Sequence, residues 1–354
     1  MRQVLLRIRL DSLFSTEAID GVTAIGVGYG LIPWLLVGIA WLVHHKRAGT
    51  LVSQDNACAA GFWVVVGCIL GSVPNWGLQV QSVPVFGYGM MLFLGFVFGG
   101  NVAAHRAKKE NLDGKLVWDM AMWLFFSGIV GARLFHVIQH RDEFFAQVNG
   151  IGDFFTVLIN LPRGGLTLFG GIIAGAIAYI VFCRKHRLST IQMADVLVPG
   201  LLVGIAFGRI GCFLNGCCFG GACELPWAVT FPEGSVPYTV QLQRGLIEAG
   251  AAGSLRVHPT QIYSSINAFV IAGICTYYWK HRSHTGSVVG LALILYAITR
   301  FTLEILRTDE LGFGGTSLTI SQWVSIGALI AGMILVNLKR LTNRFDLVPV
   351  EKTT

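Results

Sequence analysis

Runs of apolar residues recur along this chain, each near the ~20 residues a helix needs to cross a hydrocarbon core. They fall at about 22–43, 57–80, 83–104, 116–138, 164–183, 193–214, 259–279, 287–306 and 320–338, which predicts nine membrane-spanning helices. The second run is the most interrupted, because Pro74, Asn75 and Gly77 break its end. The first twenty residues differ in character, mixing Arg2, Arg7 and Arg9 with Asp11, Glu17 and Asp20. They lack the uninterrupted apolar core and small-residue cleavage site of a removable signal peptide. An amphipathic stretch lying on a membrane surface is expected there instead.

Composition strengthens this reading. The 354 residues are 54% hydrophobic and 13% charged, with a mean hydropathy of +0.64, a balance that excludes a soluble domain with a water-facing surface. The expected fold class is all-α, a polytopic integral membrane protein. A net charge of +7 would suggest nucleic acid in a soluble chain. Here the basic residues cluster between apolar runs, and no nucleic-acid partner is expected. Lys46 and Arg47, the Arg106–Lys115 group, Arg184, Lys185 and Arg187, Lys280 and Arg282, and the Lys339–Lys352 group all fall on one side if the N-terminus is outside and the C-terminus inside. Arg2, Arg7 and Arg9 oppose that orientation, and eight spans with the N-terminus inside would remove the conflict. In the nine-span arrangement the long connections at about 139–163 and 215–258 are extracytoplasmic, and the second is long enough for a small head.

Three arginines lie inside apolar runs: Arg133, Arg209 and Arg300. Each would cost about 2.5–3.5 kcal/mol to insert alone, so each calls for a partner or marks a site. All three approach the extracytoplasmic ends of their spans, and three forked guanidinium groups suit a phosphate. Glu304, four residues after Arg300, offers an ion pair on one helix face as the simpler account of that arginine. A phosphate site in a bilayer points to a phospholipid head group, which fits an enzyme and a transporter equally. Gly-x-Ser-x-Gly and His-Glu-x-x-His, the signatures of soluble hydrolases, do not occur in the sequence. Cys212, Cys217, Cys218 and Cys223 occupy twelve residues, open to a disulfide, to zinc or to simple burial. Their spacing matches no common zinc pattern, and no metal or cofactor is expected. His258-Pro259-Thr260-Gln261-Ile262-Tyr263 opens the seventh run, with proline where a helix tolerates it.

In chain order, the Tyr88-Gly89 segment, GARLFHVI around Arg133, RGGLTLFGGIIAG, GRIGCFLNGCCFG, HPTQIY and YAITRFTLEILR resemble the prolipoprotein diacylglyceryl transferases of bacteria. The resemblance covers about 83–340 and implies that family's seven-helix core. It divides the chain into an N-terminal extension at 1–82 with one or two spans, the core with a head at about 215–258, and a cytoplasmic tail at 341–354. It further implies that Arg209 and Arg300 are catalytic, and that Tyr88, Arg133, Asn215, Gly220, His258, Tyr296 and Glu304 serve the same site. Two departures stand out. The family's His-Gly-Gly, whose histidine is implicated in catalysis, is here Phe169-Gly170-Gly171, and Ser264 follows HPTQIY where glutamate is frequent. Cys212 and Cys217 replace residues that are polar in many members. His136, three residues after Arg133, is a candidate replacement base, against the simpler reading that it fills an aromatic position.

The reaction implied is transfer of the diacylglyceryl group of phosphatidylglycerol to the lipobox cysteine thiol of a preprolipoprotein, the first step of lipoprotein maturation. Its partners would be phosphatidylglycerol, the preprolipoprotein signal peptide and the membrane. Its location would be the bacterial cytoplasmic (inner) membrane, with the site facing outward. The alternatives are a catalytically impaired member that binds phospholipid or signal peptide, and a phospholipid transporter.

Overall fold

The computed structural model describes residues 4–10, 12, 14–19, 22–32, 35, 39, 82–141, 167–282, 284–307 and 316–341. Helices dominate: α1 (Gly87–Lys109), α2 (Gly114–Gln139), α3 (Leu168–Lys185), α4 (Thr190–Asn215), the short α5 (Val236–Gln243), α6 (Thr260–Tyr278), α7 (Ser287–Ile305) and α8 (Ile320–Leu341). Among the described residues, five stretches are long and apolar enough to cross a membrane: α1, α2, α4, α7 and Ile320–Asn337 of α8. The chain is thus an all-α, multi-pass membrane protein in class, with one small sheet. The expected span at 57–80, the connection at 142–163 and the tail beyond 341 lie outside the described residues, as do 33–34, 36–38 and 40–43 of the span expected at 22–43. The first residues of that span form a strand and a 3-10 turn, Val22–Gly26 and Val27–Gly30, instead of helix.

The N-terminal segment corrects the sequence reading. Instead of an amphipathic stretch on a membrane surface, Val4–Arg9 forms β1, followed by β2 (Thr16–Ile19) and β3 (Val22–Gly26). Ser82–Phe86, expected to open the third span, forms β4. The sheet order is β2-β3-β1-β4; β1 runs parallel to β3 and antiparallel to β4. Leu6-Arg7-Ile8-Arg9 alternates apolar and charged residues with the period of a strand, a signal too short to stand out beside the long apolar runs. Pro84 fits because β4 is an edge, where a missing N–H breaks no ladder.

Two compact units divide the chain. The first comprises Met1–Leu92, Gly211–Cys217 and Thr230–Leu255; the second comprises Phe93–Ile210, Cys218–Val229 and Arg256–Thr354. In the first, the sheet is accompanied by a small packed piece around Phe231, which is 1% exposed. The Phe231 amide donates to Ser254 Oγ at 2.9 Å, and the Leu255 amide to Gln241 Oε1 of α5 at 2.7 Å.

In the second unit, glycines set the helix spacing. A Cβ on Gly99 of α1 would stand 2.5 Å from the carbonyl oxygen of Gly200 of α4. On Gly131 of α2 it would stand 2.6 Å from the Gly170 oxygen of α3, and on Gly332 of α8 2.8 Å from the Gly290 oxygen of α7. Backbone therefore meets backbone in three helix pairs, the mode by which helices associate where lipid removes the hydrophobic drive. Ala103, Ala107, Val117, Met120, Val196, Ile271 and Cys275 fill the buried core beside these contacts.

Filling one of these contacts has a measurable cost. Gly99→Ala and Gly200→Ala should each destabilise the protein by about 1–3 kcal/mol through overpacking. Gly327→Ala, whose new methyl meets nothing within 4 Å, should be neutral or mildly stabilising. Unfolding midpoints of the detergent-solubilised variants decide; equal midpoints for all three would contradict the account.

Candidate functional site

The carboxylate of Glu304 is the centre of a polar cluster in the second unit. Glu304 is 3% exposed, near the end of an apolar helix, and such burial is tolerable only with charge and hydrogen-bond partners. Its partners come from α7 itself and from the start of α8. Arg300 Nη1 donates to Glu304 Oε2 from one turn earlier, and Arg307 Nη1 lies 3.7 Å from the same oxygen. Thr319 Oγ1 donates to Oε1 at 3.3 Å, and Arg300 Nη2 reaches Ser321 Oγ at 2.9 Å. Two guanidinium groups thus face one carboxylate. The acid fixes the orientation of the forks, and guanidinium groups held in place in this way suit stabilisation of a developing anion.

A second set of contacts laces the glycine-rich segment to two other motifs. The Gly220 amide donates to the His258 carbonyl at 3.0 Å, the His258 amide to the Gly221 carbonyl at 3.0 Å, and the Gly221 amide to Leu306 at 2.8 Å. Thr260 Oγ1 donates to the Cys218 carbonyl at 2.8 Å. Gly220 has no room for a side chain: a Cβ there would stand 2.7 Å from His258 Cβ and 2.8 Å from Thr260 Cγ2. Three stretches far apart in sequence therefore meet: Cys218–Gly221, His258–Thr260, and the end of α7 that carries Glu304. His258 is half-buried, and its Nδ1 is buried with no hydrogen-bond partner among the described residues. The side chain of Ser264, standing where glutamate is frequent in the family, bonds back to the Thr260 carbonyl at 2.8 Å.

The other expected residues lie as follows. Arg209 is half-buried on α4, one turn beyond Ala206, whose carbonyl accepts from Ser265 Oγ of α6 at 2.9 Å. Tyr296 is half-buried on α7, one turn before Arg300. Beside it Asn267 Nδ2 donates to Thr299 Oγ1 at 2.8 Å, fastening α6 to α7. Arg133 is 9% exposed on α2, next to the glycine contact with α3, where the Thr167 amide donates to the Ala132 carbonyl at 3.1 Å. His136 lies against His140, with ring centroids 4.4 Å apart and planes tilted by 31°. Phe169 is 51% exposed at the start of α3. In the first unit Tyr88 lies against Gly211, where a Cβ would stand 3.0 Å from its ring, and Asn215 is the last residue of α4. Gly216 then ends the helix with φ +80°.

Sequence reading overlooked Arg307, Thr319 and Ser321. The spacing of Arg300, Glu304 and Arg307 at i, i+4 and i+7 is a readable helix-face signal for the first. Nothing in the sequence marks the other two; Thr319 reaches the acid and Ser321 reaches Arg300 only because α8 folds back onto α7.

Apolar helices joined by backbone-to-backbone contacts, with an arginine–carboxylate cluster at one end, define a multi-pass membrane protein with charged groups held among its helices. Comparison with known proteins gives the family. Residues 76–338 match the family model of prolipoprotein diacylglyceryl transferase, and the chain belongs to that family. It is 35% identical over 258 residues to the phosphatidylglycerol–prolipoprotein diacylglyceryl transferase of Finegoldia magna, covering 73% of this chain and 92% of the relative. It is 36% identical to the Rhodopirellula baltica protein of the same name, with 87% and 85% covered. The Clostridium tetani protein is 32% identical, with 74% and 96% covered.

Removing the acid tests the cluster. Glu304→Ala leaves two half-buried arginines facing each other and should destabilise by about 1–3 kcal/mol, whereas Glu304→Gln, which keeps an acceptor, should lose less. Equal unfolding midpoints for parent and Glu304→Ala would show that the carboxylate does not hold the forks.

Proposed function

We propose that this protein transfers the diacylglyceryl group of phosphatidylglycerol to the lipobox cysteine thiol of preprolipoproteins, on the outer side of the bacterial cytoplasmic membrane. The observation that carries the proposal is the Arg300–Glu304–Arg307 cluster, tied through Leu306 to the glycine-rich segment and His258, within the stretch that matches the family. In the reaction, the cysteine sulfur forms a bond to the glyceryl carbon while that carbon's bond to a phosphate oxygen breaks. The oxygen takes the electron pair and leaves as glycerol phosphate. Guanidinium groups already in place stabilise that charge without reorganising, worth several kcal/mol at a water-poor site. Arg209 and Arg300 are assigned this role. Arg133, Tyr88, Asn215, Gly220, His258, Tyr296 and Glu304 are assigned to binding the lipid and the signal peptide.

An unperturbed thiol has a pKa near 8.5, so cationic surroundings favour the thiolate nucleophile. His136 is the proposed acceptor of its proton, since Phe169 cannot take one. Phe169 is also the one observation that favours a second reading, a member that binds these ligands without turnover.

In a thiol-lipidation assay with a lipobox peptide, Arg209→Ala and Arg300→Ala should each lower transfer by about 100-fold or more. Lysine at either position should rescue poorly, because a point charge does not reproduce the fork. Near-normal rates for both alanine variants would remove the assignment, and no transfer by the parent would favour the binding-only reading. His136→Phe within a few-fold of the parent would dismiss His136 as acceptor.

Orientation has its own test. The basic ends of α1 and α3, with Arg106, Lys108 and Lys109 and with Arg184 and Lys185, support a cytoplasmic placement of that end. A reporter fused after Lys339 should then read cytoplasmic and one inserted at Gly250 extracytoplasmic. A cytoplasmic signal from Gly250 would put the arginine–carboxylate cluster on the wrong side for secreted precursors.

A further inference from the structure

The end of the second unit where α7 begins holds charge that the transfer reaction does not use. Arg106, in the last turn of α1, is only 7% exposed. Its guanidinium lies 4.9 Å from the ring centroid of Trp279, just past α6, and that of Arg282 lies 4.4 Å from the same centroid. By the sum of those distances the two cations are within about 9 Å of each other, each stacked as guanidinium groups stack on indole. Glu110 is one turn beyond Arg106, but its two oxygens are both 2.7 Å from Arg282 Nη2. Gln192 Nε2 also approaches Glu110, at 3.4 Å. The other buried acid nearby, Asp195, accepts from the amides of Gly286 and Val289 at 2.7 and 2.8 Å, caps the N-terminus of α7, and lies within electrostatic reach of Arg282. Among the described residues, no carboxylate forms an ion pair with Arg106. Arg282 Nη1 is likewise buried with no hydrogen-bond partner among them.

A guanidinium buried without an acid is costly, and stacking on one indole offsets only part of that cost. The missing counter-charge must be an anion, able to accept from the planar forks of two arginines, as a phosphate does. It can enter beside Arg282, whose side chain is 22% exposed. The place is the end of apolar helices and is flanked by a tryptophan, the level at which lipid head groups lie. Lys108 and Lys109 are exposed on the same turn of α1 and add long-range attraction for anions. We infer that Arg106, Arg282 and Trp279 form a phosphate-binding site for an anionic phospholipid head group, at the opposite end of α7 from the Arg300–Glu304 cluster.

The test is a count of bound lipid. Delipidated full-length protein in detergent is titrated with dioctanoyl phosphatidylglycerol and examined by native mass spectrometry, with dioctanoyl phosphatidylcholine as the zwitterionic control. Arg106→Gln should bind one phosphatidylglycerol fewer than the parent, or bind it at least tenfold more weakly, while lipobox-peptide transfer stays within twofold. Arg106→Lys, which keeps charge but not the fork, should fall between, and it carries the test by the same criterion if Arg106→Gln does not fold. Displacement of that lipid by millimolar inorganic phosphate would identify the ligand as a free phosphate; resistance to it identifies the head group. Identical lipid count and affinity in parent and Arg106→Gln, or equal uptake of phosphatidylcholine, overturns the inference. Because the count does not depend on turnover, it stands apart from the fate of the proposed transfer activity.

Discussion

Contact between helix backbones is the constraint on which the second unit depends. Where Gly290 meets Gly332, α7 and α8 approach closely enough that side chains as short as Ser321 and Thr319 reach Arg300 and Glu304. A larger residue at either glycine would push the helices apart, and hydroxyls on one-carbon stems could not follow. The contact of Gly131 with Gly170 plays the same part for Arg133, whose neighbour Ala132 accepts from the start of α3. The glycines are thus as much part of the polar chemistry as the arginines, because they set the distance over which it operates.

Helix α7 is held by a buried carboxylate at each end, and the two are satisfied by opposite means. Asp195 caps the N-terminus of α7 from a neighbouring helix, taking backbone amides that α7 cannot satisfy internally. Gly286, at φ +95°, makes the turn that presents its amide to the acid. At the other end, where the helix dipole disfavours an anion, Glu304 is held by two arginines instead. The first arrangement is complete within the protein. The second sets guanidinium groups around the acid in fixed orientation.

Much of this was legible in the sequence. The seven apolar runs from 83 onward located α1–α4 and α6–α8, and the i, i+4 spacing of Arg300 and Glu304 gave their pairing directly, since a helix places such residues on one face. The short motifs were enough to suggest the family that residues 76–338 match. Long-range geometry was not legible. No local pattern in GCCFG or HPTQ says that Gly220 and His258 exchange backbone hydrogen bonds, because the pairing joins loops whose separation is set by helix packing. The strands at Val4–Arg9 and Ser82–Phe86 were overlooked for a different reason. Each is so short that its alternation is weak beside the adjoining apolar runs, and their pairing spans most of the N-terminal extension.

Phe169 shows how fold and chemistry separate at one position. The helix contact there is made by Gly170, where a Cβ would meet the Gly131 backbone and Phe135, whereas the Phe169 side chain is half-exposed. A change of side chain at 169 therefore alters what the start of α3 presents without disturbing the packing of α3 on α2. A residue other than histidine at 169 is thus compatible with an intact fold, and under the proposed assignment its consequence falls on proton transfer. A thiol with a pKa near 8.5 already has a few per cent of thiolate at neutral pH. Surrounding cations raise that share, so the barrier left to a general base is small beside the cost of expelling a phosphate. Under the proposed assignment of the arginines to the leaving phosphate, the base is the component most easily replaced or relocated, and the arginines the least.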